Sequence, residues 1–215
     1  MPDSVVYQTA LNQTLSYNNS RALRTSGLYT GSLYARDYYN VKGNPFFETD
    51  SFQKGDVYYN GVLYKNADLL YDLSHDNVIT KYSDDANLVL VSEKIAYFHI
   101  GDHLFVRGNE SFPAGSGFYE LLYDGTTQVF AKRTKKMVPW SKTMEFSAAF
   151  SQANVYYLLK DTAYFAANSK SEMLEAFKGK RAEIKEFISK NKLDFRKHLE
   201  DALVKIARYY DEITK

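Results

Sequence analysis

Two histidines, His99 and His103, flank Asp102, and a third, His75, stands beside Asp76 and close to Asp72. Imidazole nitrogens and carboxylate oxygens bind zinc and other transition metals, and the same groups exchange protons in hydrolysis. The spacing argues against a metal centre. His99 and His103 straddle the turn signal Gly101-Asp102, and no Glu stands in a His-Glu-x-x-His arrangement. Ordinary turn or surface placement is the simpler reading of all three imidazoles, so no metal ligand and no cofactor is assigned. His99, Asp102 and His103 are the residues that a small hydrolase with a fold-assembled His/Asp site would use.

Other candidate chemistry is thinner. Asp84 and Asp85, with Asp76 nearby, would support acid-base work only if the fold set two carboxylates at the right separation. They lie in the polar segment Tyr82-Ser83-Asp84-Asp85-Ala86-Asn87, which reads as a solvated turn. Ser116 sits between Gly115 and Gly117 without the Gly-x-Ser-x-Gly elbow of a nucleophile. The absence of cysteine excludes thiolate catalysis, disulfides and Cys-ligated metals in this chain. The glycines of 108–117 do not form a phosphate-binding Gly-x-x-x-x-Gly-Lys pattern. Lys132-Arg133-Thr134-Lys135-Lys136 is the densest positive run and is expected at a solvated hairpin end. It lies outside any helical basic stripe, and no nucleic-acid partner is predicted.

These groups have to be positioned by a chain of 215 residues, 45% hydrophobic and 25% charged, with a formal net charge of +1. Such a length can bury roughly 70% of the surface of its extended form, enough for one large core or two small ones. Its 19 Tyr and 14 Phe favour rings that fill thin layers while phenol oxygens reach water or a polar partner. A Tyr-rich sheet face would also suit a peptide or a sugar. Residues 1–167 carry 15 basic and 17 acidic side chains, and 168–215 carry 12 and 9; neither balance marks a surface for polyanions. No apolar run reaches the length of a membrane-spanning helix, and Met1-Pro2-Asp3-Ser4 lacks the features of a signal peptide.

The periodicity changes near residue 168. Residues 1–24 are polar, with Tyr7, Leu11 and Leu15 spaced for a short helix and a flexible leader as the alternative. Residues 25–167 carry short, tyrosine-rich runs punctuated by turns. Asn60-Gly61 predicts a type I′ hairpin from Val57 to Tyr64. Further strands are expected at Leu69–Leu73, Asn77–Tyr82, Leu88–Val91, Ile95–Ile100, His103–Val106, Phe118–Tyr123, Gln128–Lys132, Val155–Leu159 and Ala163–Ala167. Loops are expected at 108–117 and 134–150, with 137–153 an irregular excursion above Trp140. From residue 168 the pattern becomes helical. Ser169 and Glu172 have capping-box spacing, and Gly179 would end the first helix. A second helix is expected over Arg181–Lys190, and a third from Asp194 or Phe195 toward Ile213. The predicted fold is α+β: an antiparallel meander forming a barrel-like or sandwich body, with C-terminal helices packed against it.

Four segments carry a resemblance beyond composition: Gly27-Leu28-Tyr29-Thr30-Gly31, Lys54-Gly55-Asp56-Val57-Tyr58-Tyr59-Asn60-Gly61, Leu69-Leu70-Tyr71-Asp72-Leu73 and 117–125, Gly-Phe-Tyr-Glu-Leu-Leu-Tyr-Asp-Gly. Together with the ending Lys185-Glu186-Phe187-Ile188-Ser189-Lys190-Asn191-Lys192-Leu193-Asp194-Phe195, they resemble a family of uncharacterised exported proteins of Bacteroidetes over most of residues 27–213. The resemblance implies a periplasmic or secreted setting after removal of a signal peptide, with a cytoplasmic location as the alternative. It also implies a β-rich body with a helical end, and it supplies no catalytic residues. The expected function is a noncatalytic cell-envelope or secreted binding or structural module, whose partner would be an envelope protein, a peptide or a glycan. Its surface would be one of the two loops; an apolar groove along the helical tail would instead bind a partner helix.

Overall fold

The computed structural model describes residues 25–141 and 145–214. The short helix or leader expected over residues 1–24 lies outside them. The chain divides into two compact units, one of residues 1–108 and 133–153, the other of 109–132 and 154–215.

In the first unit, α1 (Thr25–Leu28) precedes β1 (Gly31–Leu33) and β2 (Val41–Lys42). A meander follows of β3 (Gln53–Tyr59), β4 (Val62–Asp72), β5 (Asn77–Lys81), β6 (Asn87–Leu90), β7 (Ile95–Ile100) and β8 (His103–Gly108). Their order across the sheet is β1-β6-β5-β4-β3-β7-β8. The Asn60-Gly61 turn forms as the sequence predicts, with φ of +50° and +81°. Lys65-Asn66-Ala67-Asp68 does not separate two strands. β4 runs straight through it as a bulge, in which Lys65 and Asn66 together oppose Asp56 of β3; Asn66 takes a positive φ of 56°, and the Asp56 carboxylate accepts the Asn66 amide at 2.9 Å. Without that side chain, the bulge would leave the amide with no strand partner.

Alternation places Val57, Tyr71, Phe98 and Phe105 in the core of this unit. Phe98 stacks on Phe105 at 4.9 Å, and Tyr71 meets both edge-on at 5.1 and 5.0 Å. Pairs of this geometry add about 0.5–1.5 kcal/mol each beyond burial. A second apolar cluster gathers Phe46, Leu70 and Ile79, with Tyr34, Phe52 and Val89 against it.

The second unit contains β9 (Gly117–Asp124), the first part of β10 (Gln128–Pro139), the later part of β11 (Ala148–Lys160), and β12 (Ala163–Ala166), in the order β9-β10-β11-β12. The strands β10 and β11 take up 137–139 and 148–153 of the excursion expected over 137–153. Trp140 is half-buried, with the Lys42 ammonium 4.4 Å from its ring centre. Each ladder has two different end strands, so the sheets are open and the barrel alternative falls away. The ladders β1–β6, β3–β4, β3–β7, β4–β5, β5–β6, β7–β8, β9–β10 and β11–β12 are antiparallel, and β2 meets β11 in parallel.

Three C-terminal helices follow: α2 (Lys170–Ala176), α3 (Arg181–Lys190) and α4 (Leu199–Ile213), with a 3₁₀ turn over Lys178–Lys180. Ser169 Oγ accepts the Glu172 amide at 3.2 Å, and Glu172 Oε2 accepts the Asn168 amide at 2.6 Å, a reciprocal cap. α2 closes at Ala176 rather than Gly179, because the chain tightens into the 3₁₀ turn. α4 starts later than expected. Asp194 Oδ1 accepts the amides of Arg196 and Lys197 and holds 194–197 as a separate turn. The apolar stripe Leu203, Ile206 and Ala207 meets Ile184, Ile188, Met173 and Phe177, and all of them close over Val129, Ala131 and Leu158 of the sheet. No helix among the described residues is long and apolar enough to cross a membrane.

Candidate functional site

In the second unit a cleft of about 540 Å³ opens where the β11–β12 hairpin, the end of α2 and the last turns of α4 converge. Asp161 and Thr162 make the hairpin turn with φ of +48° and +66°, which pairs Leu158 with Phe165 and Lys160 with Ala163. Phe165 is thereby set at the cleft. Phe177 caps α2, and Tyr210 reaches it from α4, the two rings 4.3 Å apart and tilted by 31°. Phe165, Phe177 and Tyr210 give the cleft aromatic walls, and Lys160, Lys178 and Lys180 supply its cations.

Each ammonium already has a carboxylate. Lys160 pairs with Asp161, Lys178 with Glu175 at 4.0 Å, and Lys180 with Glu183 at 3.1 Å. Lys160 Nζ also stands over the rings of Tyr210 and Phe165, at 5.5 and 6.0 Å. The bond from Asp161 holds the Lys160 pKa above its ordinary value, against the opposing effect of burial. The lining therefore offers ring faces, a fixed cation and exchangeable ion pairs, which suit capture of an apolar group carrying a negative charge. None of the four histidines lines it.

The predicted acid-base residues are dispersed. Ile100 pairs with His103, and His99 pairs with Leu104, so alternation sends the two imidazoles to opposite faces. His103 Nε2 lies 3.4 Å from Glu48 Oε1, with its ring edge-on to Phe47. His99 lines a shallow pocket with Lys54, Asp56 and Asn66, where burial pushes its pKa down and Asp56 partly opposes this. Asp102 is exposed in the turn. A hydrolytic site built from these three residues would need both rings on one face.

His75 is held at both ring nitrogens. Its Nδ1 lies 2.9 Å from Asp72 Oδ2 and its Nε2 3.2 Å from Asp37 Oδ2. Asp72 is buried, and its Oδ1 also accepts Ser74 Oγ at 2.8 Å and the amides of Ser74 and His75. The bond to Asp72, ahead of the charge of Asp37, raises the His75 pKa. With a carboxylate on each ring nitrogen, His75 ties the 34–40 segment to the β4–β5 turn, and neither nitrogen is open to a substrate. Asp76 instead accepts the Tyr71 hydroxyl at 2.5 Å. Among the described residues no group of three His, Asp or Glu side chains could hold a metal.

Asp84 pairs with Lys81 at 2.9 Å in an exposed turn, as its sequence context predicts. Ser116 keeps its loop position between the positive-φ glycines 115 and 117. The loop 108–117 is less available than expected. Phe112 is buried against Tyr119, Phe130 and Tyr164, and the Tyr119 hydroxyl donates to the Gly115 carbonyl at 2.8 Å. The basic run 132–136 is not a solvated hairpin end. It lies within β10, where Lys132 Nζ donates to the Phe118 carbonyl at 3.1 Å, Arg133 is buried, and Lys135 Nζ donates to the Phe46 carbonyl. Lys136 alone of the four cations is exposed.

The sequence predicts an apolar groove on the helical tail, with Tyr210 on the stripe of the last helix, but does not place Lys160 or Phe165 beside it. The signal available was the hairpin turn Lys160-Asp161-Thr162, which sets one lysine and one phenylalanine beside the C-terminal stripe. No family model, curated protein or solved structure matches the chain.

Proposed function

We propose that this chain is a noncatalytic binding module that holds a peptide segment in the cleft of its helical unit. One observation carries the reading: Lys160 Nζ stands over Tyr210 and Phe165 at the mouth of an aromatic-walled cleft. An apolar side chain packing against the rings in the cleft would bring a neighbouring carboxylate of the same peptide to Lys160, in exchange for Asp161. The motif resemblance to exported proteins of Bacteroidetes supports a periplasmic or secreted setting and makes envelope-derived peptides the first ligands to try.

The test is a titration of isotope-labelled full-length protein with envelope-derived peptides and, in parallel, envelope glycans. A peptide ligand is expected to shift the resonances of Phe165, Phe177 and Tyr210. Lys160→Ala and Tyr210→Ala should each weaken it by roughly tenfold, the size of an interface anchor, with far-UV circular dichroism unchanged. Binding unaffected by both substitutions would move the site elsewhere. Saturable binding of glycans with no peptide response would replace the ligand class, and silence from both would remove the binding reading.

A further inference from the structure

The pocket of the first unit, about 330 Å³, is lined by Lys54, Gly55, Asp56, Asn66, His99 and Gly101. Alternation puts Lys54 and Asp56 on one face of β3, and the register sets Asp68 opposite Lys54 and His99 opposite Asp56. Lys54 pairs with Asp68 at 2.8 Å. The bulge in β4 adds Asn66, whose backbone amide is held by Asp56 Oδ1 at 2.9 Å. Bulges re-aim side chains in this way beside functional sites.

This lining holds hydrogen-bonding capacity that the fold does not spend. His99 is positioned by rings: Tyr97 meets it edge-on at 6.0 Å, and Tyr58 stacks on Tyr97 at 5.4 Å. The two imidazole nitrogens make no hydrogen bond or ion pair among the described residues. Burial favours the neutral ring, in which one nitrogen donates and the other accepts. Asp56 Oδ2 and the side-chain amide of Asn66 are likewise without hydrogen bonds among the described residues.

These groups narrow the ligand class. An anion would face the Asp56 carboxylate, while the one ammonium in the lining is already paired with Asp68. A metal ion would find one imidazole and one carboxylate, short of the three protein ligands that a zinc centre needs. An apolar group would meet no apolar side chain. With β4 on one side and β7 on the other, β3 offers no edge to an extended peptide. A sugar fits, because each hydroxyl both donates and accepts, and the lining combines a carboxylate, an amide and a neutral imidazole. The volume lies at the small end of ligand sites, about 300–1,000 Å³, and suits one ring. We propose that this pocket binds a single monosaccharide unit, free or at the end of a glycan, with neighbouring hydroxyls on Asp56 and Asn66 and a further one on His99. The site stands apart from the cleft of the helical unit and does not depend on a peptide binding there.

The test titrates glucose, galactose, mannose and N-acetylglucosamine into isotope-labelled full-length protein, with zinc chloride in a parallel series. At least one sugar should shift the ring signals of His99 and the side-chain amide of Asn66 saturably, and leave those of Phe165, Phe177 and Tyr210 in place. Asp56→Asn keeps an oxygen for the Asn66 amide and should weaken the sugar by at least roughly tenfold, the size of one hydrogen bond to a charged acceptor. Asn66→Gly suits the positive φ of 56° and should weaken it by roughly fivefold. Both variants should keep the far-UV circular dichroism of the parent. Four sugars that leave His99 and Asn66 unmoved would overturn the proposal. A shift of His99 by zinc chloride and by no sugar would give the pocket to a metal ion, and a sugar response that both variants leave intact would put the sugar elsewhere; either result also overturns it.

Discussion

Asp211 joins the last helix to the β9–β10 turn, and Asp211→Ala should break that joint. The side chain is buried; its two oxygens accept the Thr127 amide at 3.0 and 3.1 Å, and Oδ2 also accepts the Tyr123 hydroxyl at 3.1 Å. Because the amide is one donor shared between two oxygens, the substitution removes two hydrogen bonds to a charged acceptor, each worth about 1.5–3 kcal/mol. Relief of the desolvation of a buried carboxylate offsets part of this, leaving a loss of about 2–4 kcal/mol. Gly125 supplies the control, since a Cβ there would fall 2.2 Å from Asp211 Oδ2 and 2.5 Å from the Tyr123 oxygen. Gly125→Ala has to displace the same carboxylate, so it should cost less in a chain that lacks Asp211. The double-mutant cycle should show a coupling of about 1–2 kcal/mol. Urea unfolding followed by far-UV circular dichroism reads the helical unit. The reasoning fails if Asp211→Ala costs under about 1 kcal/mol, or if the two substitutions add to within about 0.5 kcal/mol.

Stability should depend on pH through His75 and His99 with opposite slopes. The His75 pKa is raised, so its contribution is full below the ordinary value of 6.5 and is lost as pH rises through the folded value. The deficit of His75→Gln relative to the parent should therefore be larger near about pH 6 than near about pH 9, and below about 1 kcal/mol because the ring is half exposed. A deficit that grows with pH contradicts the doubly paired imidazolium. His99, lowered by burial, favours the neutral form, and its contribution is full above 6.5 and lost as pH falls toward the folded value; His99→Gln should flatten that acid-side loss in thermal melts. Gly55→Ala places a Cβ 2.1 Å from the His99 carbonyl oxygen and should destabilise by more than about 3 kcal/mol. Gly61→Ala has open space but a φ of +81°, for about 1 kcal/mol. Equal losses in chemical denaturation would contradict this ranking. Ser169→Ala should cost about 1 kcal/mol by removing the cap on the Glu172 amide, while Ser169→Asp should retain most of it.

Where a local rule determined the structure, the sequence was readable. The turn at Asn60-Gly61, the strand Ile95–Ile100, the cap at Ser169 and the helix Arg181–Lys190 each follow from a few adjacent residues. Strands were missed where a distant partner overrode the local signal. Lys65 to Asp68 reads as a connector until Asp56 reaches across to take the Asn66 amide. Lys132 to Lys136 reads as a solvated end until the carbonyls of Phe118 and Phe46 take two of its ammonium groups. Sequence-local arguments count charges but cannot count acceptors from other strands. The candidate site has the same origin: His99 and His103 look like partners because they are close in the chain, and strand alternation across the hairpin separates them. Lys160, Phe177 and Tyr210 are far apart in the chain and share a cleft because three elements end together. Proximity in sequence therefore pairs two imidazoles that the register places on opposite faces. In the cleft the side chains that the fold brings together are aromatic and cationic: Phe165, Phe177 and Tyr210 with Lys160, Lys178 and Lys180.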